Sequence, residues 1–472
     1  EARRHDDPQR AAVSAAEQWR GPAGAPSYDD YLAHDGVGAP EILKRKWWRE
    51  LGTAPLDAAR YVSPEFFERE AARLWPRVWQ MACREEDIPS VGDALVYEIV
   101  GKSFVVVRTA PDRIRAYYNS CLHRGRKLLL GSAPGSSCAH VDHLRCPFHG
   151  FTWNLDGTPK SVPCRGDFPT LTDDESLRLP QARVETWGGF VFLNMDAGAR
   201  PLAEHLGPLP EHFARWALEH RWKAAHVGKV IACNWKVAQE AFMESYHVIA
   251  THPQILEFCA DANARYDILS DHVNRNLTAF GAPSPHLAGR TSPDRAYAGM
   301  LAMYGHRDAG GDAPLDWYEA RRRLGARVRA SFARAYGGDW STAADAEVLD
   351  ALVYNVFPNF APWAGFAPNI VYRWRPNGRD VDSCLMEVMI LKPVKAGAVR
   401  PRAVPFRLLG ADERWSDAKE LPILGGVIDQ DMENMPYVQE GLRASATGRV
   451  HLAGYQESRI RHFHETLDRY LA

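Results

Sequence analysis

The chain has 472 residues, of which 46% are hydrophobic and 25% charged, with a formal net charge of -2. Such a length accommodates two or three domains with sizeable cores, and so small a charge gives no reason to expect nucleic acid or an anionic membrane as partner. No apolar run is long enough to span a bilayer, and the charged opening Glu1-Ala-Arg-Arg-His lacks the apolar core of a signal peptide.

Eight cysteines are scattered along the chain. Cys83, Cys138, Cys164, Cys233, Cys259 and Cys384 show no disulfide-like spacing and are expected as free, mostly buried thiols in a reducing compartment, which points to the cytoplasm.

Residues 1–60 mix an Ala-rich opening, a Gly/Pro stretch and a basic segment containing Trp47-Trp48, a pair expected to pack on the chain's own body. Ser63 and Pro64 then open a helical pattern as N-cap and first residue. Alternating segments at 95–100, 103–108 and 114–118, separated by turn residues, predict a small antiparallel sheet.

Two short motifs follow: Cys121-Leu-His123-Arg124-Gly125 and Cys146-Pro147-Phe148-His149-Gly150. A thiolate and an imidazole from each tight turn could together hold a mixed-ligand iron–sulfur cluster. Two thiolates would bind one iron and two neutral imidazoles the other, which raises the reduction potential. A structural zinc site is the competing reading of such pairs. Residues 124–145, 22 in all, form the loop between them. It contains a second Cys-x-His at Cys138 and His140, which lacks the Arg-Gly flank and lies too near Cys146. His140 and His143 are therefore read as surface-loop residues. Asp156-Gly157 predicts a hairpin turn, and 187–194 a single further strand. Pro201 and Pro208–Pro210 mark the exit from this unit.

A second informative stretch runs from Asn234-Trp235-Lys236 to Pro253 and contains Glu240, Glu244, His247 and His252. Glu244 and His247 are three apart and are expected on one helix face, with the helix ending by Pro253. Two imidazoles there make two-thirds of a 2-His-1-carboxylate iron site. Residues 427–435 carry further carboxylates, Asp429 and Asp431 among them. Residues 317–336, with Arg321 to Arg323, predict a solvated amphipathic helix. The aromatics of 353–374 (Tyr354, Phe357, Phe360, Trp363, Phe366, Tyr372) read as strand and core residues, some of them able to line an apolar pocket.

The paired Cys/His motifs with their Arg-Gly and Pro-Phe flanks resemble the Rieske [2Fe-2S] pattern. Asn234-Trp235-Lys236 through Glu240, Glu244, Tyr246-His247 and His252-Pro253 resembles the catalytic signature of Rieske non-haem iron oxygenases, alpha (terminal oxygenase) subunit, the ring-hydroxylating dioxygenase family. The resemblance implies an α+β fold: a Rieske-type antiparallel β domain at 78–198 and a helix-grip (START-like) catalytic domain at 199–472, with 1–77 a helical segment packed on the latter. It implies Cys121, His123, Cys146 and His149 as cluster ligands. His247, His252 and Asp431 would bind a mononuclear Fe(II), with Asp429 as the alternative carboxylate. Glu244 would bridge that iron site to His149 of the next subunit in a ring-shaped trimer. Ala241 stands where many relatives carry Asn.

The implied activity uses O2 to hydroxylate, dihydroxylate or demethylate an organic, aromatic or bulky apolar substrate. Since no flavin or nicotinamide fingerprint is present, electrons must come from a ferredoxin or flavin reductase, with NAD(P)H acting only indirectly and a beta subunit as a further partner. The alternatives are a Rieske electron carrier without oxygenase chemistry and a zinc-stabilised binding module.

Overall fold

The computed structural model describes residues 25–131, 139–171, 173–287, 289–303, 314, 316–367 and 369–472. Among these, two large sheets carry the architecture, one of seven strands and one of eight. The seven-stranded sheet contains the predicted meander as Asp93–Ile99, Lys102–Ala110 and Arg113–Tyr118. Its register sets Val96 opposite Val105 and Val106 opposite Ala116, so alternate apolar residues fall on the buried faces.

The stretch 187–194 is not one strand. Gln181–Trp187 turns back into Phe190–Asn194 through Gly188 and Gly189, which sit at φ +60 and +78. Residues without a Cβ take those angles at little cost, so the glycine pair makes a hairpin where the apolar run suggested continuity. The Asp156-Gly157 turn lies, as predicted, between Thr152–Trp153 and Pro159–Ser161. His140 is drawn into a short strand beside Asp93–Ile99, and its Nδ1 lies 2.9 Å from Asp93 Oδ1. Its would-be partner Cys138 falls outside the described residues.

The eight-stranded sheet is built on the long antiparallel pair Arg221–Ile231 and Asp380–Pro393. The helix Ser458–Leu471 packs against it: Ile460, Phe463, Leu467 and Leu471 recur at helical spacing and share one core with Trp235, Trp374 and Met386. The fold is thus α+β. Ser63 caps its helix by accepting from the Phe66 N–H at 3.1 Å. Trp47 packs 5.4 Å from His212 and Trp48 5.0 Å from Tyr455, both on the chain's own body.

The predicted helix Trp317–Tyr336 forms, but it is not simply solvated. Arg321 is buried on its inner face, 2.8 Å from an equally buried Asp350 and beneath the Tyr31 ring. Cys83, Cys233, Cys259 and Cys384 are free and buried, and Cys164 is free and exposed. Among the described residues no helix is long and apolar enough to cross a membrane.

Buried imidazoles shape the acid response. Burial pushes His205 and His462 down to about 3, and burial together with the Lys223 ammonium pushes His226 down to about 4. In the unfolded chain these rings take up protons near 6.5, so unfolding binds protons below that value. Stability therefore falls as pH drops from 6.5 towards 4, by up to ~1.4 kcal/mol per pH unit for each ring. Urea midpoints at pH 7.5, 6.0 and 5.0 should show this decline, and His205→Gln should flatten it. An unchanged slope would mean that His205 is already protonated in the fold.

Candidate metal centres

Each Cys/His motif sits on a turn of the same build. Cys121 N–H donates to the Arg126 carbonyl and Gly125 N–H donates back to the Cys121 carbonyl, both at 2.9 Å. In the second turn Cys146 N–H donates to the Phe151 carbonyl at 2.8 Å and Gly150 N–H to the Cys146 carbonyl at 3.0 Å. Gly125 and Gly150 adopt φ +74 and +81, which explains why glycine closes each motif.

The turns face each other. The Cys121 and Cys146 thiols are buried and within hydrogen-bonding reach, and the His123 and His149 rings lie 4.6 Å apart. His123 Nδ1 is buried with no hydrogen-bond partner, a costly state for a polar atom unless something else binds it. Phe151 stacks on His123 at 5.2 Å and shields it, whereas His149 and Phe148 face solvent. Two sulfurs, two nitrogens and an orphaned buried imidazole nitrogen fit a mixed-ligand cluster.

The second centre begins with Asn234, whose side chain caps the helix Trp235–Glu240 by accepting from the Lys236 N–H. Lys236 is buried against Glu70 at 2.6 Å, and Trp235 donates to the same carboxylate at 3.1 Å. The Asn-Trp-Lys triplet is thus a cap, a core residue and an anchor. The helix stops at Glu240, however, so Glu244 and His247 do not share a helix face. They meet across the turn that leads into Val248–Thr251: Glu244 accepts from the His247 backbone N–H at 2.9 Å and lies 2.7 Å from His247 Nδ1. His252 caps the short helix before Pro253.

The helix Leu424–Met432 brings Asp431 to the two imidazoles. Its Oδ1 is 3.0 Å from His252 Nε2 and 3.5 Å from His247 Nε2, and the three donor atoms all lie within 4.8 Å of one another. Burial opposes charge on His247, yet Glu244, with Asp431 and Asp261 farther off, raises its ring from 6.5 to about 9. A metal at this point would displace that proton. Two Nε2 atoms and one carboxylate make the 2-His-1-carboxylate set that suits ferrous iron.

Asp429 is turned elsewhere. It accepts from Trp415 N–H at 2.8 Å, Ser416 N–H at 3.1 Å and Ser416 Oγ at 2.6 Å. Burial works against its charge, but those donors hold it below the usual carboxylate value.

Sequence reasoning missed Gln430, whose Oε1 lies 2.9 Å from His252 Nδ1, because no spacing rule marks a glutamine between two aspartates. It also did not connect Phe242 with the aromatics of 353–374. Burial, with Asp431 nearby, raises the Tyr372 phenol, and Phe242 and Trp363 pack on that ring at 4.9 and 6.1 Å.

Two domain families match this chain: a Rieske [2Fe-2S] domain over residues 78–172 and a ring hydroxylating alpha subunit catalytic domain over 213–472. The chain belongs to the ring-hydroxylating alpha-subunit family. The cofactors of this alpha subunit are accordingly a Rieske [2Fe-2S] cluster and a mononuclear iron.

It is 29% identical over 195 residues to the carnitine monooxygenase oxygenase subunit of Acinetobacter baumannii, covering 41% of this chain and 51% of that one. It is 31% identical over 210 residues to the biphenyl 2,3-dioxygenase subunit alpha of Rhodococcus jostii, covering 42% and 43%. The chain thus spans about half the length of the curated relatives it matches. A quaternary ammonium Rieske monooxygenase solved with L-carnitine superposes with a TM-score of 0.60 at 18% identity, covering 89% of this chain and 97% of the other. Naphthalene 1,2-dioxygenase with indole bound gives 0.61 at 17%, covering 90% and 93%. At such identities the likeness is one of fold.

Proposed function

We propose that this alpha subunit is the terminal oxygenase of an electron-transfer system, a cytoplasmic enzyme that takes electrons from a ferredoxin or flavin reductase and uses O2 to oxidise an organic substrate. The convergence of His247, His252 and Asp431, in a chain that also carries a Rieske domain, supports this reading over a pure electron carrier. Cys121, Cys146, His123 and His149 would hold the cluster, in a domain spanning 78–198, and the three convergent residues the iron, in a domain spanning 199–472.

When bound, the iron would supply a site for O2 activation beside the substrate. The protein's part is positional. Glu244 accepts from His247 Nδ1–H, leaving Nε2 free to point at the metal, and the buried Tyr372, with the half-buried Phe242 packed on its ring, adds an apolar flank near Asp431. Glu244 would also receive His149 of a second copy. Exposed Phe148 next to His149, and exposed Tyr246, Ile249, Tyr437 and Val438 around the iron site, give two apolar faces suited to head-to-tail contact in a trimer.

The Phe242, Trp363 and Tyr372 cluster suits a flat apolar ring, and an aromatic cluster can equally face a trimethylammonium group. Screening biphenyl-type and betaine-type compounds for oxygenated products would separate these classes.

The deciding experiment counts iron and acid-labile sulfide on anaerobically purified protein. About three irons to two sulfides per chain supports the oxygenase, and two to two, unchanged on adding Fe(II), supports the electron carrier. Glu244→Gln should keep both counts while slowing reoxidation of the reduced cluster by O2 and substrate by at least about 10- to 100-fold. Stopped-flow absorbance reads that rate, and an unaltered one would remove Glu244 from the electron path.

A further inference from the structure

The two imidazoles of the iron centre are backed differently. His247 Nδ1 faces the carboxylate of Glu244 at 2.7 Å, whereas His252 Nδ1 faces the neutral amide of Gln430 at 2.9 Å. Gln430 is the neighbour of Asp431, which meets the opposite nitrogen of the same ring at 3.0 Å. Consecutive residues of one helix therefore grip both ends of the His252 imidazole. Gln430 does not stand alone. Gln254, two residues beyond His252, donates its Nε2–H to Gln430 Oε1 at 2.6 Å and accepts from Gln430 Nε2 at 3.3 Å. This reciprocal amide pair forms part of the wall of an open cleft of about 700 Å³, together with Ile255, Phe258 and Val427.

We propose that Gln430, clamped by Gln254, is a positioning residue for the iron centre: it holds the His252 ring with Nε2 turned to the metal by accepting from Nδ1–H. This rests on the reading of His252 as an iron ligand. The physical reason is the two-fold ambiguity of a neutral imidazole. Only one nitrogen carries the proton, and the partner of the other decides which one is free to ligate. With Asp431 at Nε2, an unassisted His252 would place its proton there and donate to the carboxylate, which blocks both donors at once. An acceptor fixed at Nδ1 favours the opposite tautomer. The amide does so without adding charge, so the centre keeps Asp431 as its single ligating carboxylate and only one charged backing group, Glu244. The cleft wall extends the effect, since whatever occupies the cleft presses on Gln254 and through it on Gln430.

The test is anaerobic titration of iron-depleted protein with Co(II), followed by the visible spectrum of the bound ion, on the parent, Gln430→Leu, Gln430→Glu, Gln254→Leu and His252→Ala. Gln430→Leu should weaken Co(II) binding about 10- to 100-fold. Gln254→Leu should weaken it less, and Gln430→Glu, which restores an acceptor, should bind at least as tightly as the parent. Gln430 is only partly buried, so melting temperatures should stay close to the parent's. In the Zn(II)-loaded protein, 15N shifts should show the Nδ1–H tautomer of His252 in the parent and a faster-exchanging proton in Gln430→Leu. Binding lost in His252→Ala but unchanged in Gln430→Leu would overturn the positioning role alone. Unchanged binding in His252→Ala would overturn the metal-centre reading beneath it. If Gln430→Leu fails to fold, Gln254→Leu carries the test, because Gln254 is exposed and lies outside the helix Leu424–Met432.

Discussion

Asp431→Ala is expected to release the mononuclear iron and leave the cluster intact. Iron should fall from about three to about two per chain, acid-labile sulfide should stay at about two, and the cluster's visible spectrum should not change. Asp431 is the only one of the three convergent donors with a negative charge, and its Oδ1 lies within 3.5 Å of both imidazoles. Without it two neutral nitrogens remain, and metal affinity should drop by about 10³-fold or more, with oxygenation lost in step. The companion variant sharpens the result. Asp429→Ala should keep its iron, because that carboxylate is committed to Trp415 and Ser416. It should instead lose about 1–3 kcal/mol of stability, as the buried Trp415 N–H is left without an acceptor. Iron lost from Asp429→Ala and retained in Asp431→Ala would exchange the two assignments.

The aspartate choice shows where the sequence stops being informative. Positions two apart on a helix point about 200° apart, so one of the pair must face the imidazoles and the other must not. Deciding between them requires knowing which face packs on 415–416, a contact from another part of the chain. The cluster turns were legible for the opposite reason. Both proposed ligands of each half lie within four residues, and the positive φ of Gly125 and Gly150 leaves a glycine at a fixed offset. The link between Glu244 and His247 was also visible in the spacing, although a turn and not a helix realises it. Two other features left no local mark. Arg321 reads as solvated until Asp350, far along the chain, closes on it. The glycine pair at 188–189 interrupts an apolar run whose periodicity alone suggests one strand.

Glu387→Leu is expected to be among the most damaging substitutions outside the metal centres, at about 3–5 kcal/mol. Glu387 is fully buried. It accepts from Arg373 Nη2 at 2.5 Å and Arg375 Nη2 at 2.7 Å and lies 2.9 Å from His226 Nε2. Burial alone would raise its carboxyl, but the two guanidinium groups hold it well below the usual range. The charge is therefore present at every pH above its ordinary value near 4.5, and its stabilisation is lost only as pH falls through the depressed folded value. The guanidinium groups in turn reach across the domain seam: Arg373 Nη1 donates to the Met81 and Ala82 carbonyls, and Arg375 Nη1 to that of Glu98. Leucine would strand two buried cations side by side and loosen the strands that carry the cluster domain. Urea unfolding of Glu387→Leu measures the cost. Replacing Arg373 and Arg375 by Met in the same chain should recover much of it, because a buried ion cluster costs most when one partner is missing. A single-variant loss below about 1 kcal/mol would mean that apolar packing and not this charge cluster holds the two domains in register.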